Sequence, residues 1–303
     1  MNWFLIALLS PALHGLTNHI DKYLLSKYFK GSDSAALLIF SSIFGVFILP
    51  LIILIEPDVF NIEASHTFLL LVGGVMYTVC LIPYFYALSK DEASVVVPLF
   101  QTVPIFGYIL AFLVLGETLT REQILASFLI ILGAITLSLN LDERRPKLKK
   151  TIFFSMLISS LLAAFGGLIF KFVAIEEGFW TSSFWIYIGY AIVGLFLLIF
   201  TKVYRLKFLK LIRTNKISIL AVNSLNETLF IIGALGLAFA SLLAPLALVL
   251  TVDGLQPLFV FTYGVIITLF FPNLGKESLV RKNLIQKTIA LSAILLGAYL
   301  LNT

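Results

Sequence analysis

Within the largely apolar stretch "KISILAVNSLNETLFIIGALGLAFA", residues 216–240, two amides and a carboxylate sit near the middle: Asn223, Asn226 and Glu227. Their i, i+3, i+4 spacing puts them on one face of a helix. Glu227 is the eleventh residue of the apolar run 217–239, so it sits near the middle of any bilayer that run crosses. A charged side chain at that depth costs about 2.5–3.5 kcal/mol on insertion scales and survives where it faces a partner or a cavity. The chemistry expected of this trio is binding of a substrate or a proton. The plainer alternative is a hydrogen-bonded knot between helices.

A second intramembrane acid lies in "LTVDGLQPLFVF". Asp253 and Gln256 share a face, and Gly254 and Pro257 are placed to break the helix there and free carbonyls that line a cavity. Gln101, with Pro104 and Tyr108, is the expected facing wall. The first apolar run carries a polar stripe of His14, Asn18, Asp21 and Lys22. His14 is close to midplane depth and titrates near neutral pH. Asp21 and Lys22, nearer the cytoplasmic end, are read as a gate pair or an interfacial anchor, and Lys171 as an anchor at the opposite mouth. Among the aromatic residues, Tyr77 and Trp185 lie deep enough to help form a box around an organic cation. Glu227 and His14 are the two candidates for proton coupling.

These residues need a frame of helices. The chain of 303 residues is 60% hydrophobic and 12% charged, with a mean hydropathy of +1.05. Soluble chains are roughly half apolar and a quarter charged, so this one is read as an integral membrane protein. A bilayer core takes roughly 20 apolar residues per helix. Ten runs qualify: 3–24, 34–55, 67–88, 94–115, 121–140, 151–173, 180–201, 217–239, 242–270 and 284–302. They are too long and continuous for barrel strands. The first run lacks a basic leader and a small-residue cleavage site, so a cleavable signal peptide is not expected. Cys80, alone, makes no intrachain disulfide, and His14, His19 and His66 lack metal spacing.

The charges orient these runs. Loops after odd-numbered runs hold seventeen Lys and Arg, from Lys27 to Lys282, whereas loops after even-numbered runs hold only Arg121. Cytoplasmic loops carry the cationic excess, so the odd loops are expected inside a bacterial inner membrane and both termini outside. The +5 net charge is thereby explained by topology, without nucleic acid as a partner.

The two halves repeat. "ILGAITL" (Ile131 to Leu137) closes the fifth run and "LLGAYLL" (Leu295 to Leu301) the tenth. Pro104 aligns with Pro257, and Lys22 in "HIDKYLLSKYFKG" with Lys171 in "LIFKFVAIEEGFW". Residues 1–140 and 151–303 are read as five-helix repeats, joined by a basic cytoplasmic linker at 141–150. Five is odd, so the second repeat is inverted, a recurring construction of secondary transporters.

"VVVPLFQTVPIFGYILAFLVLGETLTREQILASFLIILGAI" resembles the signature of the EamA-like family of drug/metabolite transporters, in Leu115-Gly116-Glu117 and Gly133-Ala134. The second half carries "FFPNLGKES" where the family has a second Leu-Gly-Glu. The resemblance implies ten helices and transport of amino acids, amines, nucleotide-related metabolites or drugs. No hydrolase, metalloprotease or nucleotide-binding motif is present, and no cofactor is expected. The expected protein is an all-α, ten-helix secondary transporter of two inverted five-helix repeats. It would move a small polar organic solute by alternating access, driven by a proton or other ion gradient. A non-transporting scaffold and an intramembrane lipid-modifying enzyme are the alternatives.

Overall fold

The computed structural model of the chain describes residues 2–27, 34–90, 97–138, 150–270 and 281–301. Most of the expected linker, the "FFPNLGKES" stretch beyond Phe270 and the Lys22 side chain lie outside them. The described residues are helical, with no strand among them. In chain order the helices are α1 Trp3–Lys27, α2 Ser34–Phe44, α3 Leu49–Ile55, α4 Ala64–Val79, α5 Leu81–Lys90, α6 Val103–Leu115 and α7 Arg121–Ser138. Then follow α8 Lys150–Glu177, α9 Phe179–Phe200, α10 Lys202–Leu243, α11 Leu246–Asp253, α12 Gln256–Phe270 and α13 Arg281–Leu301. A 3-10 turn at Gly45–Ile48 joins α2 to α3, and another at Val97–Thr102 leads into α6.

Among the described residues, six segments are long and apolar enough to cross a membrane: 38–55, 64–84, 150–177, 179–200, 220–243 and 246–270. Leu99–Leu115 and Ile285–Leu301 are shorter apolar helices. Outward faces carry large apolar side chains such as Leu54, Leu113, Phe200 and Phe270, a surface that water does not tolerate and lipid does. This is a multi-pass membrane protein.

Local sequence sets the boundaries. Gly116 adopts φ 66° and stops α6, since the left-handed region suits a residue without a Cβ. Thr120 and Gln123 then start α7 as a capping box: the Gln123 amide donates to Thr120 Oγ1 and the Thr120 amide to Gln123 Oε1. The span holding α4 and α5 breaks at Cys80, whose carbonyl accepts a 2.6 Å bond from Ser159 Oγ. The span holding α11 and α12 breaks at Gly254-Leu255.

One expectation is corrected. Residues 202–216 were read as a basic loop, yet they form the first part of α10, whose 42 residues reach about 63 Å at 1.5 Å per residue. Neither Gly nor Pro occurs between Lys202 and Glu227 to stop the helix. The core of roughly 30 Å holds only about half that length, so the basic part continues beyond it.

Helices of the first half pack on helices of the second. α1 lies along α10 and touches α11 and α12; α8 lies along α4 and touches α5 and α6. α9 packs on α2 and α4, α10 on α2, α6 on α11, and α7 along α13. The last pair is held at backbone distance. A Cβ on Gly133 would lie 2.9 Å from the Ala290 oxygen, and one on Gly297 would lie 2.8 Å from the Ala126 oxygen.

Candidate solute and proton site

The site is built on α10. Asn223, Asn226 and Glu227 are buried, at 3%, 3% and 5% exposure. Glu227 Oε1 accepts a hydrogen bond from Ser41 Oγ of α2, and Asn226 Nδ2 donates at 2.7 Å to Asp21 Oδ1 of α1. The side-chain oxygens of Asn223 and Asn226 are buried without a protein partner. Asp21 and Glu227 are close enough to feel each other's charge. One turn of α10 therefore ties helices of both halves through two acids.

Further along α1 is a second cluster. Ser10 Oγ donates at 2.6 Å to Asp253 Oδ1, the last residue of α11, and lies 3.2 Å from His14 Nδ1. His14 Nε2 is 3.1 Å from the Phe230 carbonyl oxygen, and the imidazole stacks on the Phe230 ring with 4.4 Å between centroids. Gly233 leaves the room: a Cβ there would lie 2.9 Å from His14 Nε2.

Next to the second cluster is a cavity enclosing about 680 Å³ of empty space, counting its open mouth. Its polar lining is Tyr77, Tyr187, Tyr190, Ser183 and Ser241; the rest is apolar or glycine. Tyr77 and Tyr190 stack at 5.3 Å, and Tyr187 meets Tyr190 edge-on at 5.2 Å. The Ser183 hydroxyl is buried without a protein partner. Val249 and Leu250, one turn before Asp253, form part of the wall, and the Asp253 charge reaches the Tyr77 hydroxyl.

Several expected residues thus meet, but not in one chamber. Glu227, Asn223 and Asn226 are not among the cavity's lining residues. The stripe of α10 that is polar at Glu227 continues as Ala234, Ala238 and Ser241 where it faces the cavity. Gln101 is buried with its side-chain oxygen against Gly254, and without a protein partner. Gln256 is half-buried in the first turn of α12.

Five expectations change. Asn18 is exposed, off the buried face that carries His14. Tyr108 packs on Phe112 instead of forming the wall facing Asp253. Trp185 does not line the cavity: its indole N–H donates to the Val59 carbonyl at 2.9 Å, and its ring meets Phe60 and Phe184 edge-on, so it anchors the segment before α4. Lys171 is no surface anchor either. It is 5% exposed, pairs with Glu117 and donates to the Ala244 carbonyl at 2.7 Å. The left-handed Gly116 turns Glu117 back toward it, and Glu117 Oε2 accepts the Leu246 amide at 2.7 Å at the start of α11. Asp21, expected beside Lys22, is bound to Asn226.

Reading along the sequence missed Ser10, Ser41 and the Glu117–Lys171 pair. The signal for the last was present, since a lysine about six turns into an apolar helix must be neutralised or exposed.

The same Leu-Gly-Glu stretch falls inside the match to the family model of the EamA-like transporter family, which covers residues 1–139. An uncharacterized protein of Methanocaldococcus jannaschii is 31% identical over 99 residues, 33% of this chain and 72% of that protein. The chain belongs to the EamA-like transporter family. Members of this family are transporters rather than enzymes. A crystal structure of another protein matches 98% of this EamA-like chain and 95% of its own, with a TM-score of 0.63 at 12% identity. At that identity the likeness concerns the fold alone.

Proposed function

We propose that this EamA-like protein is a secondary transporter for a small, amine-bearing organic solute, built as two inverted five-helix halves, residues 1–140 and 151–303, that rock about the midplane. Support for the inversion comes from the packing. Exchanging the halves turns the α1–α10 contact into α8–α4, α1–α12 into α8–α6, and α9–α4 into the α10–α2 contact, all of which occur. The α7–α13 seam maps onto itself: Gly133 meets Ala290 and Ile294, while Gly297 meets Ala126 and Ile130, related by one constant offset along the chain. The charge bias of the loops puts the odd ones in the cytoplasm and the protein in an inner membrane.

The observation that carries the function is the tyrosine-walled cavity with Asp253 at its edge. Tyrosine faces attract a cation, and a carboxylate in a low-dielectric setting supplies its counter-charge. Without a nucleotide-binding motif, an ion gradient drives the cycle, and the acids Asp253, Asp21 and Glu227 with His14 are the groups that exchange protons. Glu117 and Lys171 clamp α6, α8 and the start of α11 on the outward side.

Thermal stability of the purified protein against amines, amino acids, nucleosides and sugars tests this. A ligand at 100 times its Kd stabilises by about 2.7 kcal/mol. Amines should protect the wild type, and the protection should be lost in Asp253→Asn and reduced in Glu227→Gln. Protection by sugars or nucleosides alone, or equal protection of all three proteins, would overturn the amine reading.

A further inference from the structure

Ser10 has one hydroxyl proton and two neighbours that compete for it. Its Oγ is 2.6 Å from Asp253 Oδ1 and 3.2 Å from His14 Nδ1. On the other side of the ring, His14 Nε2 faces the Phe230 carbonyl at 3.1 Å. A carbonyl only accepts, so Nε2 carries a proton.

Two arrangements then fill every contact. In one, Asp253 is a carboxylate that accepts Ser10 O–H, and Nδ1–H donates to Ser10 Oγ, so the ring is an imidazolium. In the other, Nδ1 has passed its proton to Ser10 Oγ while Ser10 has passed its own to Asp253 Oδ1. The carboxylic acid now donates to Ser10, Ser10 donates to Nδ1, and the ring is neutral. Both arrangements hold the same protons and have no net charge. If that one shared proton leaves, a carboxylate and a bare Nδ1 both demand the single hydroxyl, and one contact must open.

We propose that Ser10 is a proton relay between His14 and Asp253, and that the proton shared across it fastens α1 of the first half to α11 of the second. This rests on the transport reading and names its coupling device. Ser10 is fully buried and His14 is 6% exposed, so the shared proton is shielded from water. Asp253 ends the helix whose Val249 and Leu250 line the cavity. An amine arriving there replaces the proton as the counter-charge of Asp253, the proton departs to water, and the α1–α11 contact opens. One cation is exchanged for one proton.

The other titratable groups nearby are few. α4 contributes Tyr77, within reach of the Asp253 charge. α10 contributes Glu227, one turn before Phe230, and α1 itself contributes His19 and, two turns on, Asp21. His19 Nε2 is occupied at 2.8 Å by the Val260 carbonyl, and the part of α12 packed against Gly15, Phe259 and Val260, brings no acid or base. The 3-10 turn brings only the neutral Gln101, against Gly254.

The test uses the full chain in lipid nanodiscs, labelled with ¹⁵N-histidine and ¹³C-aspartate, and the proton as probe. His14→Gln and Asp253→Asn assign the two signals by their loss. In the wild type, the His14 ring and the Asp253 carboxyl should respond together, at one shared midpoint, as pH rises. In Ser10→Ala the two responses should part, one signal moving without the other, and Ser10→Thr should restore the joint step. The His19 and His66 signals report whether each variant is folded. If Ser10→Ala does not fold, the wild-type and Ser10→Thr titrations decide alone. Separate midpoints in the wild type, or a joint step that survives Ser10→Ala, would overturn the relay. No solute is present, so this result and the ligand screen can fail independently.

Discussion

The α7–α13 and α1–α10 crossings are both long and intimate, and both use glycines for close approach, but only the second carries ionisable side chains. Along α7–α13 two glycines bring backbones together, with Ala126, Ile130, Ala290 and Ile294 buried around them. Van der Waals contact of this kind holds helices together in lipid, where the hydrophobic effect offers little between them. Along α1–α10, Gly233 and Gly236 also lie close to α1, but the contact additionally runs through Asp21, Asn226, His14 and the Phe230 carbonyl. Dispersion contacts do not respond to a proton or an ion; carboxylates and an imidazole do. In the proposed transport cycle the first crossing is the fixed seam on which the halves are mounted, and the second is where a change of charge moves them.

The largest effect should come from a third contact that sharpens this contrast. Lys171→Gln strands the Glu117 carboxylate in a mostly buried position and should cost about 3–5 kcal/mol. Adding Glu117→Gln should recover most of that, and thermal unfolding of both variants checks it. Equal losses in the single and double variants would mean that the pair is not a clamp. On the seam, Gly297→Ala drives a Cβ to 2.8 Å from the Ala126 oxygen and should cost about 1–3 kcal/mol. Gly133→Ala should cost the same, because its contacts are the reciprocal set; one neutral variant would break the two-fold relation.

A smaller loss is expected for Trp185→Phe, about 1 kcal/mol for the missing bond to Val59, with amine protection unchanged, since the ring does not line the cavity. The smallest change in stability belongs to Gly233→Ala. Its Cβ meets a side-chain ring that can swing, and removing a mid-helix glycine returns roughly 0.5–1 kcal/mol. The unfolding temperature should hardly move, while the His14 titration should lose its joint step with Asp253. A seam-like loss of stability there would erase the distinction between the two crossings.

Much of the frame was legible along the chain. Apolar runs between charge clusters located helices because lipid leaves the backbone few alternatives, and the pairing of Pro104 with Pro257 anticipated helices broken at matching places. Partners were not legible. Ser10 and Asp253 are 243 residues apart, and a serine in an apolar run carries no sign of which acid it will meet. Lys171 looked like an anchor because the repeat pairs it with Lys22, whereas Gly116 decides its partner from another helix. The basic residues 202–216 read as a loop because charge marked the edge of the bilayer, and charge does not stop a helix. Trp185 lay at the right depth for a cavity but faced the wrong way, a property of packing that composition does not encode.

The most direct measurement of the central claim is made in proteoliposomes with a pH dye inside, driven by an outward amine gradient. The wild type should acidify the lumen as amine leaves, one proton entering for each cation, and Asp253→Asn should not. Equal acidification by both proteins, or amine movement without any change in lumen pH, would contradict exchange of a proton for a solute at Asp253.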